Sequence, residues 1–222
     1  RGLELTVIPC SARGELDPDD ITPLIRKNTR AIFLTHASNV TGTILPVAAV
    51  GKIAHDHGLV FAVDAAQTAG ALPIDVEAMN IDLLAFTGHK SLSGPQGTGG
   101  LYIRSGLEAR LRPLMMGGTG SRSEFEHQPD FMPDKYESGT PNTVGIAGLE
   151  AGVRFVLGTG LAAIRAHEEG LTRLFLEGLA EIPGIRLYGP PQADRRIAVV
   201  AFNLAGGQSS EMVFMGKVIN QP

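Results

Sequence analysis

The chain of 222 residues has no tryptophan, a single cysteine, five lysines and only 5% aromatic residues. One thiol excludes an internal disulfide and fits a reducing compartment, so a cytoplasmic protein is expected. That thiol, Cys10, follows an apolar run and reads as a buried or edge group rather than a catalytic one. Lys and Arg form no run and the formal net charge is −4. Nucleic acid is therefore not expected as a partner, because neutralising phosphates needs clustered cations. No apolar run approaches the roughly 18 residues that cross a bilayer, and the opening residues lack the small-residue cleavage site of a signal peptide. A membrane partner is not expected either. No metal site is expected: His55 and His57 stand two apart on a predicted helix, hence on different faces, and with His36 they fit ligand spacing poorly.

Glycine, by contrast, is plentiful at 28 residues. Residues 94–100 do not follow the order G-x-G-x-x-G, and no G-K-[ST] occurs because His89 separates Gly88 from Lys90. A dinucleotide-binding dehydrogenase is thereby disfavoured. The glycines more simply let backbone approach closely or turn tightly.

With 43% hydrophobic residues the chain can fill a core. Strand and helix patterns alternate along it, which predicts a layered α/β sheet. Strands are expected at 5–8, 31–35, 59–63, 81–86 and 101–104, with a helix from Asp17-Pro18 to about 27 and another over 47–57 that stops at Gly58. Residues 115–141, rich in Gly, Pro and polar groups, read as a long functional loop that crosses a dimer interface. Helices are expected at 144–157 and 161–179, separated at Gly158-Thr159-Gly160, and further strands at 185–188 and 197–202. No internal repeat or low-complexity tract interrupts this pattern.

Two of these strands carry chemistry to one sheet edge. The run 59–63 ends on Asp64, within Val63-Asp64-Ala65-Ala66-Gln67-Thr68-Ala69-Gly70, and the run 81–86 leads into Thr87-Gly88-His89-Lys90. Lys90 follows Asp64 by 26 positions. The pair suits pyridoxal 5'-phosphate, which acts as an electron sink when its ring nitrogen stays protonated and its aldehyde is held as a lysine Schiff base. A carboxylate favours the pyridinium by opposite charge, and a desolvated lysine beside another cation becomes a nucleophile. Gln67, if the chain turns into a helix after Asp64, is placed to reach the ring hydroxyl. Thr87 and His89 are placed to contact the phosphate.

Asp64-x-x-Gln67 followed by Thr87-x-His89-Lys90 resembles the core of class V aminotransferase-fold enzymes, in particular the cysteine desulfurase and selenocysteine lyase group. Thr35-His36-Ala37-Ser38-Asn39-Val40-Thr41-Gly42 resembles the segment whose asparagine approaches the cofactor's ring hydroxyl. Glu137-Ser138-Gly139-Thr140-Pro141-Asn142 resembles the segment whose threonine reaches the phosphate of the neighbouring subunit. The resemblance covers nearly the whole chain. It implies an aspartate aminotransferase-like (fold type I) α/β architecture: an incomplete large domain, 1–158, with a three-layer α/β/α, mainly parallel sheet, and part of a smaller α+β domain, 159–222. It also implies a cofactor set of Asn39, Asp64, Gln67, Thr87, His89, Lys90 and Thr140 with Lys90 catalytic, cysteine or selenocysteine as substrate, a sulfur-acceptor protein and a homodimer.

Family members are roughly twice this length. The resemblance therefore places the first phosphate-binding loop and the ring-stacking aromatic residue before Arg1, and the substrate-carboxylate arginine and persulfide-forming cysteine beyond Pro222. Ser209-Ser210-Glu211-Met212-Val213-Phe214-Met215 resembles the helix start of the small domain. A fragment of this kind is expected to retain cofactor weakly.

Other readings of the same residues stay open. Lys90 has the alternative of a solvated loop lysine, Asp64 of a cap on the following turn, Asn39 of a turn residue and Thr140 of a helix-entry residue. At the level of function, a class V aminotransferase or epimerase uses the same cofactor, and a non-catalytic binding or assembly protein would keep the fold without turnover. In the desulfurase reading Lys90, once released, serves as general base for the alpha proton.

Overall fold

A computed structural model describes residues 2–122, 124–204 and, for the backbone, 213–217. Two sheets organise these residues. The first has four strands in the order β1 (Ala31–Thr35), β2 (Val60–Asp64), β3 (Leu83–Thr87) and β4 (Gly99–Ile103). β1, β2 and β3 run parallel and β4 antiparallel, so the sheet is mainly parallel.

Alternation along the strands decides which residues form the core. Ile32 of β1, Phe61 and Val63 of β2 and Leu84 of β3 point to one face, where α1 (Val47–Asp56) buries Val47, Val50 and Ala54 against them. Those positions, with the buried Gly51, are spaced i, i+3, i+4 and i+7, which is the stripe a packed helix needs. The opposite face carries Phe33, Ala62, Leu83, Ala85 and Leu101 together with Asp64. It is open among the described residues, with Phe33 75% and Leu101 53% exposed.

The second sheet is antiparallel, in the order β5 (Ile185–Tyr188), β6 (Val199–Leu204) and β7 (Val213–Lys217). α2 (Thr143–Thr159) and α3 (Leu161–Ala180) precede it, with Gly160 at φ +86° between them. α3 buries Leu176 and Leu179 on Val200 of β6, and Phe175 meets Phe202 edge-on at 6.3 Å between ring centres. A small apolar cluster, Ala37, Ile197 and Val199, joins the end of β1 to the start of β6. No single described helix is long and apolar enough to cross a membrane.

Four expectations are corrected. Residues 5–8 form no strand: Leu5 and Val7 are exposed, and strand-forming side chains without a partner edge do not make a strand. Cys10 is accordingly exposed rather than buried or at a strand edge. The helix expected at 17–27 is two short 3-10 turns, Pro18–Asp20 and Thr22–Leu24. Asp17 does cap the first, accepting the Asp19 N–H at 3.0 Å, but Pro23 has no N–H to continue an α-helix and its ring blocks the preceding turn. Of the helix start expected from Ser209, residues 209–212 lie outside the described residues and 213–215 belong to β7.

The described residues of 115–141 form neither helix nor strand, as expected of a long loop. The loop is held by polar contacts within itself and to the segment before it. Gln128 accepts the Gly117 N–H at 2.9 Å and donates to the Asp134 carbonyl at 2.7 Å, and the Tyr136 hydroxyl reaches the Glu108 carbonyl at 3.1 Å.

Candidate functional site

The parallel strands β2 and β3 end side by side, with Asp64 in register with Ala85. The chain leaving β2 bends through turns rather than entering a helix. Ala65 N–H bonds to the Ala85 carbonyl at 2.8 Å, and Thr68 and Ala69 N–H both return to the Ala65 carbonyl. Asp64 Oδ1 accepts the Ala66 N–H at 2.8 Å, a local turn of the kind a short carboxylate favours. Oδ2 carries no hydrogen bond among the described residues. One carboxylate oxygen is thus structural and the other is available.

The chain leaving β3 folds beside this turn. Thr87, half-buried, sends its hydroxyl to the Ala66 carbonyl at 3.5 Å. Gly88 donates to the Thr98 carbonyl and its own carbonyl accepts the Gly94 N–H, both at 2.8 Å. A side chain at Gly88 would run into the Thr98 hydroxyl and Leu149 of α2. Any side chain between Thr87 and His89 would therefore have to displace both Thr98 and Leu149. Ser93 N–H closes on the Lys90 carbonyl at 2.8 Å, and at Gly70, which has φ +89°, a side chain would meet the Ser91 backbone. The Asp64–Gly70 and Thr87–Gly94 segments accordingly abut.

The side chains of Gln67, His89 and Lys90 carry no hydrogen bond or ion pair among the described residues. His89 is exposed, whereas Gln67 and Lys90 are half-buried. Asp64 is also the one charged group lining a concavity of about 380 Å³ on the open sheet face, walled by Phe33, Thr35, Ala62, Ala85 and Leu101. The other candidate residues do not line it. Asn39 sits exposed at the tip of the loop after β1, and Thr140 lies exposed two residues before Asn142. It is Asn142, not Thr140, that caps α2, accepting the Gly145 N–H at 3.0 Å. The structure thus brings Asp64, Gln67, Thr87, His89 and Lys90 onto two touching segments and leaves Asn39 and Thr140 on separate loops.

The chemistry of this donor set fits pyridoxal phosphate. A carboxylate with a spare oxygen suits a ring nitrogen, a hydroxyl and an imidazole suit a phosphate, and a half-buried amine without a counter-ion suits covalent attachment.

A family model described as aminotransferase class V matches residues 1–216. This chain belongs to the class V aminotransferase family. Its similarity to class V members is close. It is 36% identical over 206 residues to a probable cysteine desulfurase of Methanothermobacter thermautotrophicus, covering 92% of this chain and 51% of that protein. It is 41% identical over 207 residues to a cysteine desulfurase of Escherichia coli, covering 91% and 50%. Among solved structures, the apo cysteine desulfurase from Thermococcus onnurineus superposes with a TM-score of 0.83 at 37% identity, covering 92% of this chain and 51% of that one. A cysteine desulfurase from Escherichia coli does so at 0.77 and 32%, covering 90% and 50%. The chain spans about half the length of these relatives. Its first sheet, mainly parallel with α1 on one face, has the α/β architecture of the class V fold, a family that uses pyridoxal phosphate.

Two features of the region escape sequence reading. His36, at the end of β1, is buried, and its Nδ1 has no partner among the described residues. Burial alone lowers its pKa from 6.5 to about 4, so the ring is neutral near pH 7. Arg196 is wholly buried although it follows another arginine, and nothing in the dipeptide Arg195-Arg196 tells which of the two goes inside.

Proposed function

We propose that the protein is a pyridoxal phosphate-dependent cysteine desulfurase, which removes sulfur from cysteine, or selenium from selenocysteine, and leaves alanine. The observation that carries this reading is the similarity, at 36–41% identity over more than nine-tenths of the chain, to proteins that are cysteine desulfurases. The same similarity disfavours an aminotransferase, an epimerase or a non-catalytic scaffold. Bound pyridoxal phosphate supplies an electron sink for loss of the alpha proton of an amino acid.

The chain's own residues take the following parts in this reading. Lys90 attaches the cofactor and, when free, holds the alpha proton as general base. Asp64 keeps its Ala66 turn through Oδ1 and offers Oδ2 to the ring nitrogen. Thr87 and His89 hold phosphate, and Gln67 and Asn39 orient the ring hydroxyl. Thr140 serves the phosphate of a second copy. Support for a homodimer comes from the 115–141 region, which exposes the large apolar side chains of Met115, Met116 and Phe125. A sulfur-acceptor protein, a cytoplasmic location and a boundary between large and small domains at 158/159 belong to the same reading. The boundary is supported by the 82° bend between α2 and α3.

The deciding experiment supplies L-cysteine and an excess of dithiol, which accepts the sulfane sulfur as a persulfide and releases it as sulfide on closing to the disulfide, to the purified, cofactor-loaded protein and measures alanine and sulfide together. Equal amounts of the two are expected. Amino transfer to a keto acid as the main activity would overturn the desulfurase reading.

A further inference from the structure

The loop that carries Asn39 is fastened at both levels, within itself and to the second sheet. Within the loop, Ser38 N–H bonds to the Thr43 carbonyl at 2.9 Å and Gly42 N–H to the Ser38 carbonyl at 3.1 Å. The Ser38 hydroxyl accepts the N–H groups of Val40 and Thr41 at 3.2 and 3.1 Å. These bonds shape a closed turn with Asn39 at its tip. They do not fix where the turn points.

The Thr43 hydroxyl ties the base of the loop to the Arg13 carbonyl at 2.7 Å and Leu45 N–H to the His36 carbonyl at 2.9 Å, and the residues just before β6 hold the turn itself. The Arg196 guanidinium, 0% exposed, donates to the Thr41 carbonyl at 2.8 Å, to Pro190 at 2.8 Å and to Val199 at 2.7 and 3.2 Å. Backbone bonds run alongside, from Ile197 N–H to the Gly42 carbonyl at 2.9 Å and from Ile44 N–H to the Arg195 carbonyl at 3.1 Å. At Gly42, φ is +75° and a side chain would strike the Val199 carbonyl. The loop is thereby seated against the segment that leads into β6.

No carboxylate pairs with Arg196 among the described residues; its neighbour Arg195 takes Glu15, at 2.9 Å. Burying a guanidinium without a counter-ion is costly, and three carbonyl dipoles only partly offset that. Burial also lowers its pKa from the ordinary arginine value. An apolar residue here would leave the Thr41, Pro190 and Val199 carbonyls without these donors, so the fork both satisfies them and gives the Thr41 carbonyl a fixed direction.

We infer that Arg196 is a positioning residue, which sets the aim of Asn39 by clamping the Ser38–Gly42 turn to the second sheet. The inference rests on the reading that Asn39 faces the cofactor. It makes the geometry of the site depend on a residue more than 150 positions away in sequence.

The test compares Arg196→Lys, Asn39→Ala and the double variant in the full chain. Lysine keeps the charge but has one donor centre and cannot span three carbonyls. Hydrogen exchange without cofactor is the first readout. Exchange at 40–43 should rise about tenfold or more in Arg196→Lys while β1, β2 and β3 keep the wild-type rate. Pyridoxal phosphate titration is the second readout, followed by absorbance. Each single variant should weaken binding by roughly tenfold, the range of one lost charge-assisted hydrogen bond. The double variant should bind no more weakly than Asn39→Ala, because the clamp acts through Asn39.

Unchanged exchange in Arg196→Lys overturns the clamp and leaves the role of Asn39 standing. Raised exchange with wild-type cofactor affinity overturns the positioning role. Asn39→Ala with wild-type affinity instead overturns the reading of Asn39, and the inference with it. Should Arg196→Lys unfold, Thr41→Pro is not a substitute, but Gly42→Ala strikes the same junction from the loop side and must reproduce both effects.

Discussion

Gly88 donates its N–H to the Thr98 carbonyl at 2.8 Å, and its missing side chain is the space that the Thr98 hydroxyl and Leu149 occupy. The contact locks the start of the β4 hairpin under the residues that carry Thr87, His89 and Lys90. A methyl group at 88 would have to push these residues outward. Gly88→Ala should cost about 1–3 kcal/mol of stability by overpacking, read by urea unfolding. Adding Thr98→Ala removes the hydroxyl and should recover part of the loss. Strictly additive effects would show that the two residues do not press on each other.

Asp64 combines two separable roles. Asn at this position keeps an oxygen for the Ala66 N–H but carries no charge for a ring nitrogen. Asp64→Asn should therefore unfold like the wild type, whereas Asp64→Ala should lose about 1 kcal/mol with the turn. Both should weaken pyridoxal phosphate binding by at least about tenfold, the equivalent of one pKa unit at the ring nitrogen. Wild-type affinity in Asp64→Asn would restrict Asp64 to the turn.

His36 gives stability a pH dependence. Its pKa is about 4 in the fold against 6.5 in an ordinary setting, so the unfolded chain binds the proton more readily. The contribution is fully present above pH 6.5, declines as pH falls, and is lost at about pH 4. The loss amounts to on the order of 3 kcal/mol. His36→Asn should flatten the difference in unfolding free energy between pH 7 and pH 4. Parallel curves for variant and wild type would show that His36 does not titrate in this window.

Met115 and Met116 are exposed in the 115–141 region. If that surface joins two copies, the double change to serine should shift the protein from dimer to monomer in light scattering at micromolar concentration, without loss of helix content. A dimer that survives the change would place the interface elsewhere.

Much of this was legible in the sequence where local pattern and packing agree. β1 and β5 have the bounds that apolar runs between polar breaks indicate, and Asp64 stands at the end of β2 because buried strands end where a charge can reach the surface. Residues 5–8 show the reverse case. Their composition is that of a strand, but a strand needs a neighbouring edge, and composition does not supply one. Pro23 likewise outweighs a helical start well capped by Asp17. The antiparallel direction of β4 and the burial of Arg196 depend on contacts between distant segments and leave no local trace. Gly88 was visible only as one glycine among 28, and its purpose emerged from Thr98.

The most direct measurement is borohydride reduction of the protein loaded with pyridoxal phosphate, followed by peptide mapping. Of the five lysines, Lys90 should carry the pyridoxyl group, and Lys90→Ala should carry none. Labelling of Lys27, Lys52, Lys135 or Lys217 in its place, or of no lysine, would contradict the assignment of Lys90 as the attachment point.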